Sequence, residues 1–107
     1  MNQDVVLRAR MKLLSTDRRV LHGPDAIWVY RVLTEVNREA YGSKLAHVLM
    51  EASRSHLVRE LPERRLELLE EAVEVATSLD TANPFRAKVL ARALEARRME
   101  LHDGQAR

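Results

Sequence analysis

Apolar side chains recur every three to four positions along this chain, and the recurrence is interrupted at Gly23-Pro24, Gly42, Pro62, Pro84 and Gly104. A spacing near 3.6 residues marks a helix that buries one face, whereas the two-residue alternation of a half-buried strand is sustained nowhere. The pattern predicts helices over about 4–14, 25–41, 43–60, 63–80 and 84–102, with the polar stretch Ser15 to His22 as a loop. The expected fold class is all-α: four or five antiparallel helices, in a bundle or as stacked helical hairpins, forming a single domain over 1–107.

Local signals place the helix ends. Pro24 and Asp25 open the second helix, because proline is tolerated in the first turn and an early carboxylate favours the positive helix end. Val29, Leu33, Val36 and Ala40 follow at helical spacing. Gly42 is expected to end this helix in a left-handed cap, with Ser43 capping the next; one long helix kinked at Gly42 is the alternative. The third helix carries Leu45, Val48, Leu49, Ala52, His56 and Leu57. It should stop near Leu61, since the residue before a proline is pushed out of the helical region. The fourth has two adjacent apolar stripes, Leu66-Leu69-Val73-Ala76 and Leu68-Ala72-Val75-Leu79, a face wide enough for two neighbours. Asn83-Pro84 reads as a cap followed by proline at the first helical position, and Gly104 as the end of the fifth helix.

With 46% hydrophobic and 32% charged residues, the chain is too apolar to be disordered and lacks any run near the roughly 20 apolar residues of a bilayer span. Its first residues lack the basic start and apolar stretch of a secretory signal, so a cytoplasmic protein without membrane attachment is expected. The absence of cysteine removes disulfides, thiolate nucleophiles and cysteine-type zinc sites. Arginine outnumbers lysine 15 to 3, which lifts the pI to about 9.4 although the net charge is only +2. Residues 60–80 carry seven acids against Arg64 and Arg65, and residues 81–107 carry six bases against three acids. Opposite charge across a short turn is expected to steer these two helices into an antiparallel hairpin. An exposed ion pair is worth only about 0.2–1 kcal/mol, so apolar burial must supply most of the stability.

In that hairpin, Ala76, Leu79 and Asp80 stand near the end of one helix, and Ala87, Leu90, Ala91 and Leu94 stand in the next. Alanine at such crossings lets two helix backbones approach closely. Through these residues the stretch Ala72 to Ala93, about a fifth of the chain, resembles a tetratricopeptide-type helical hairpin. It departs from that family at Thr81, where a turn proline is usual, and in the 41-residue spacing from Ser43 to Pro84, against roughly 34 for such repeats. The resemblance implies stacked hairpins, a protein-binding surface and no catalysis.

Four constellations bear on chemistry. Leu45 to Leu61 is similar to a helix-turn-helix DNA reader, in which Arg54 and Arg59 would reach phosphates or base edges. Met50 and Glu51 stand where such a turn wants a glycine and an apolar residue, so an uninterrupted helix fits the pattern better. Arg8, Arg10, Lys12, Arg18 and Arg19 form the densest basic cluster, suited to phosphates or an acidic protein, or else a solvated face. Aromatics for stacking on a single strand are scarce: Trp28, Tyr30, Tyr41 and Phe85. His47 and Glu51 lie four apart with His56 nearby, but no second ligand pair shares that spacing, and neither a metal nor another cofactor is expected. Glu67, Glu70, Glu71 and Glu74 lack the glutamate-x-x-histidine motifs of a di-iron bundle and read as a solvated helix side. Without a glycine-rich phosphate loop or a nucleophile-base pair, catalysis is not expected.

Apolar surface remains. Trp28 is either a core residue or the aromatic anchor of an interface, a role in which tryptophan is enriched. The expected partner-facing residues are Trp28, Tyr30, Leu68, Val75 and Leu79; a nucleic-acid surface would use Arg54, Arg59, Arg8, Arg10 and Lys12. The leading expectation is a non-catalytic protein–protein interaction or oligomerisation module, self-associating as a homodimer because a small chain gains core by association. The alternatives are a small DNA-binding regulator, and an accessory subunit or small-ligand-binding bundle lined by Trp28, Tyr30 and Met50.

Overall fold

Helical periodicity becomes helix throughout the part of the chain that the computed structural model describes, residues 3–14 and 24–105. Among these residues there are five α-helices and no strand: α1 (Gln3–Leu14), α2 (Pro24–Val36), α3 (Arg38–Ser53), α4 (Pro62–Ser78) and α5 (Arg86–Gln105). A single turn of 3-10 helix, His56–Val58, stands between α3 and α4. The expected loop Ser15 to His22 lies outside the described residues, and Arg18 and Arg19 with it. The chain is all-α, as its periodicity predicts. α3 packs most extensively on α4, which also carries α5; α2 lies on α3, and α1 lies on α2. The buried apolar side chains form one cluster, in which Tyr30, Leu33, Leu49 and Val29 are the largest fully buried. Each such side chain stabilises the fold by about 1.5–3 kcal/mol. No helix among the described residues is long and apolar enough to cross a membrane.

The boundary between α2 and α3 falls at Asn37 and not at Gly42. Asn37 leaves the helical region (φ −149°, ψ 90°), and its Oδ1 accepts the Ala40 N–H at 3.2 Å, pairing one of the donors that a helix start leaves open. Its own N–H still donates to the Leu33 carbonyl, so α2 closes as α3 begins. Gly42 is buried inside α3, and Ser43 follows it in the same helix. A Cβ on Gly42 would lie 2.7 Å from Leu79 Cδ2. This glycine makes room for the end of α4; it neither caps nor breaks a helix.

The third helix also stops earlier than expected, at Ser53. Ser53 Oγ donates to the Met50 carbonyl at 2.6 Å, and Ser55 Oγ accepts the Leu57 N–H at 3.2 Å. Serine side chains offer the backbone these local bonds in place of the helical ladder. Leu45 to Leu61 is therefore one helix, a turn and a single 3-10 turn, with no second helix to act as a DNA reader. α5 starts at Arg86, later than Asn83-Pro84 suggests: Asn83 Oδ1 accepts the Phe85 N–H at 2.9 Å and forms a turn ahead of the helix. Gly104 does not end α5, which continues to Gln105.

The α4–α5 hairpin forms, but its ion pair runs opposite to the charge balance of the two helices. The base comes from acidic α4 and the acid from α5. Arg65, only 8% exposed, donates through Nε to Glu100 Oε1 at 3.0 Å, and its Nη2 lies in ion-pair contact with the same oxygen at 3.0 Å. Its Nη1 donates to the Val58 and Arg59 carbonyls, tying the 3-10 turn to the same site. The α4 carboxylate with the closest cross-helix partner, Glu71, faces α2, where it accepts from Arg31 Nη2 at 2.6 Å and Nε at 2.9 Å. The basic end of α5 contributes through Arg86, which donates to the Leu79 carbonyl at 3.0 Å and covers the negative end of α4.

Candidate functional site

Burial reassigns most of the residues expected to face a partner. Tyr30, Leu68 and Leu79 are core side chains, at most 3% exposed, and Val75 is half-buried. The wide face of α4 does have two neighbours, and they are α3 and α5 of the same chain. Trp28 remains outside the core at 37% exposure. Its Nε1 donates to Asp25 Oδ1 at 3.2 Å, and Lys12 Nζ lies 2.9 Å from the other carboxylate oxygen. The hydrogen bonds from Lys12 and then Trp28 hold the Asp25 carboxyl below its ordinary value of 3.8.

The cations proposed for nucleic acid are spread over separate elements. Arg8 and Arg10 are exposed on α1 and Lys12 is paired with Asp25; Arg54 follows α3, and Arg59 lies in the turn before α4. His47 Nε2 lies 3.4 Å from Glu51 Oε1 on the surface, and no group of three or more candidate metal ligands occurs among the described residues.

Concave surface among the described residues includes two regions. The first lies between α2, α3, the 3-10 turn and α4: an apolar hollow of about 480 Å³ walled by Ile27, Val48, Ala52, Leu57, Val58 and Leu68. Glu51, Ser55, His56 and Arg64 also line it; Ser55 Oγ accepts the Leu57 N–H, and Arg64 donates to Glu67 beside the hollow. Trp28, Tyr30 and Met50 do not line it.

The second is a groove between α3 and α5, made of two adjoining hollows of about 290 and 510 Å³ that share His47, Met50 and Arg92. Its floor is apolar: Met50 and Val89 are buried at 5% and 8% exposure, with Ala96 beside them. Phe85 stands at one end, 61% exposed, and Met99 at the other, 52% exposed. Phe85, just ahead of α5, and the α5 positions 89, 92, 96 and 99 recur at helical spacing, so one side of this helix and the residue before it form a whole wall. The rim is basic. Lys44 and Lys88 flank the Phe85 end, and Arg54 lines the Met99 end. Lys44 lies over the Tyr41 ring at 5.5 Å, while Arg54, Lys88 and Arg92 have no ion-pair partner among the described residues. The acid in this wall, Glu95, gives both oxygens to Arg98, at 2.9 and 2.6 Å, and these bonds hold its carboxyl below the usual range.

This groove is absent from the sequence reading because Phe85 shares a helical face with Val89, Ala93 and Ala96 and passes for core. A signal was present: Lys88 and Arg92 stand four apart with no acid between them at that spacing, an unfavourable repetition on an isolated helix. Comparison with protein-family models, with curated proteins and with solved structures returned no match to this chain.

Proposed function

We propose that this chain is a non-catalytic protein–protein interaction module and that the α3–α5 groove is its docking surface. The observation that carries this reading is the pair Phe85 and Met99, both more than half exposed, at the two ends of an apolar floor. Large apolar side chains grouped on a rigid helix are the usual anchors of an interface, and their burial against a partner supplies most of its affinity. The likeness of Ala72 to Ala93 to a tetratricopeptide-type hairpin points the same way. A cytoplasmic setting and a capacity for self-association belong to the same proposal.

Site-directed photocrosslinking tests it. A photoreactive phenylalanine analogue at position 85 should give a discrete protein adduct in cells, and the same analogue at exposed Glu70 should not. Equal, diffuse labelling from both positions would remove the groove as a docking surface. Sedimentation velocity on the purified chain tests self-association: a concentration-dependent dimer supports it, and a monomer at high micromolar concentration eliminates it.

A further inference from the structure

We infer that the groove between α3 and α5 takes an acidic amphipathic helix of a partner protein. The inference rests on the reading of that groove as a docking surface and adds the chemistry of its occupant. Phe85, the residue just before α5, and Met99 within it are fourteen residues apart, which at the helical rise sets the groove at about 21 Å, or about four turns of a docked helix. A helix presents apolar side chains to such a floor from positions three and four apart, leaving its flanks over the rim.

The rim selects the charge of those flanks. Lys44, Arg54, Lys88 and Arg92 line the groove, and the one acid among their α5 neighbours, Glu95, is already satisfied by Arg98. A basic segment would meet repulsion along the whole groove, and a neutral one would leave the cations unpaired. Glutamates or aspartates flanking an apolar stripe complement both surfaces. Like-charge exclusion is how such rims discriminate between partners, and the attraction acts mainly on the association rate.

Two other occupants fit less well. A nucleic acid would satisfy the rim but leave Phe85, Met50, Val89 and Met99 against phosphate and sugar. A second copy of this chain offers an acidic helix side on α4, Glu63, Glu67, Glu70 and Glu74, all exposed, but that stripe has no large apolar side chain to fill the floor.

The test is an NMR titration of the full-length, nitrogen-labelled chain with synthetic helical peptides of about five turns, roughly 18 residues. All share one leucine stripe, and their flanks carry glutamate, glutamine or lysine. The glutamate peptide should shift amides of α3 and α5 around Met50, Phe85 and Arg92. It should bind at least about tenfold tighter than the glutamine peptide at low salt, with the gap closing as salt rises. Lys88→Glu with Arg92→Glu, both exposed positions, should invert the preference so that the lysine peptide binds and the glutamate peptide does not. Equal binding of the glutamate and glutamine peptides in the groove would overturn the acidic partner while leaving the docking surface standing. Shifts that map elsewhere, or no binding by any peptide, would overturn the docking surface as well. A short DNA duplex that displaces the glutamate peptide from the same amides would replace the protein partner with a nucleic acid. Concentration-dependent shifts shared with α4 in the absence of peptide would replace it with a second copy.

Discussion

Arg65 is only 8% exposed, and the five N–H bonds of one guanidinium let it hold α4, α5 and the 3-10 turn at once. Removing its carboxylate partner leaves a buried cation with carbonyl acceptors alone. Glu100→Ala should therefore cost about 3–5 kcal/mol in urea denaturation, while the joint replacement Arg65→Met with Glu100→Leu should recover most of that loss. A loss below about 1 kcal/mol for Glu100→Ala would mean the pair behaves as a surface contact. The opposite case is Thr34, whose Oγ1 is buried and meets no hydrogen-bond partner among the described residues. Thr34→Val keeps the shape and removes the unpaired hydroxyl, so it should stabilise by about 1 kcal/mol in the same assay. Arg65 was readable in principle: with Leu69, Ala72 and Ala76 it occupies one helical stripe, just as Glu100 extends Val89, Ala93 and Ala96. A charge in phase with a buried stripe on each of two paired helices signals a buried pair. Net charge summed over a segment hides that signal.

At the scale of elements, the number and type of helices followed from periodicity, and the ends did not. Three ends were misplaced for one reason: short polar side chains bond to nearby backbone and override the propensity of their neighbours. Asn37 starts α3 through its bond to the Ala40 N–H, Ser53 and Ser55 close α3, and Asn83 makes a turn before α5. Gly42 was misread because glycine serves two purposes, and only the packing partner Leu79 distinguishes them. Gly42→Ala should gain about 1 kcal/mol of helix propensity but lose about 1–3 kcal/mol to overpacking, a net destabilisation near 1 kcal/mol. In a Leu79→Ala background, where the space is open, the same change should turn stabilising. A double-mutant cycle on thermal unfolding measures this, and additive effects would rule out the contact as the reason for glycine.

For the molecule as a whole, α1 is the weak member. Ala9 is its one buried side chain among the described residues, while Leu7, Met11 and Leu14 are 56%, 60% and 82% exposed. Its amides should exchange fastest with solvent, and those of α3 and α4 slowest. The Lys12–Asp25 bridge makes that difference dependent on pH. Because the Asp25 carboxyl is held below 3.8 in the fold, its contribution is fully present above about pH 4 and is lost as pH falls through the lowered value. The protection of α1 amides relative to their intrinsic exchange rates should therefore be steady from neutral pH to about pH 4 and fall below it, and Lys12→Ala should remove that loss of protection. A loss of protection beginning near neutral pH would assign the effect to another group. The overall packing order was accessible from short connections, which force neighbours to pair. The groove was not, because it depends on how far apart α3 and α5 are held by α4, a distance that no pattern within one helix encodes.

Glu39 gives the closed end of the hairpin a further property. Its carboxylate accepts the Asp80 N–H at 3.0 and 3.2 Å, and the Asn83 side-chain amide donates to its carbonyl and its Oε1. The connection between α4 and α5 is thus stitched to the first turn of α3, although it looks from outside like a spare surface bend. Engineers who cut the chain there to relocate its termini, or who splice a reporter between Thr81 and Ala82, will pull on the beginning of a third helix as well as on the two they intended to separate.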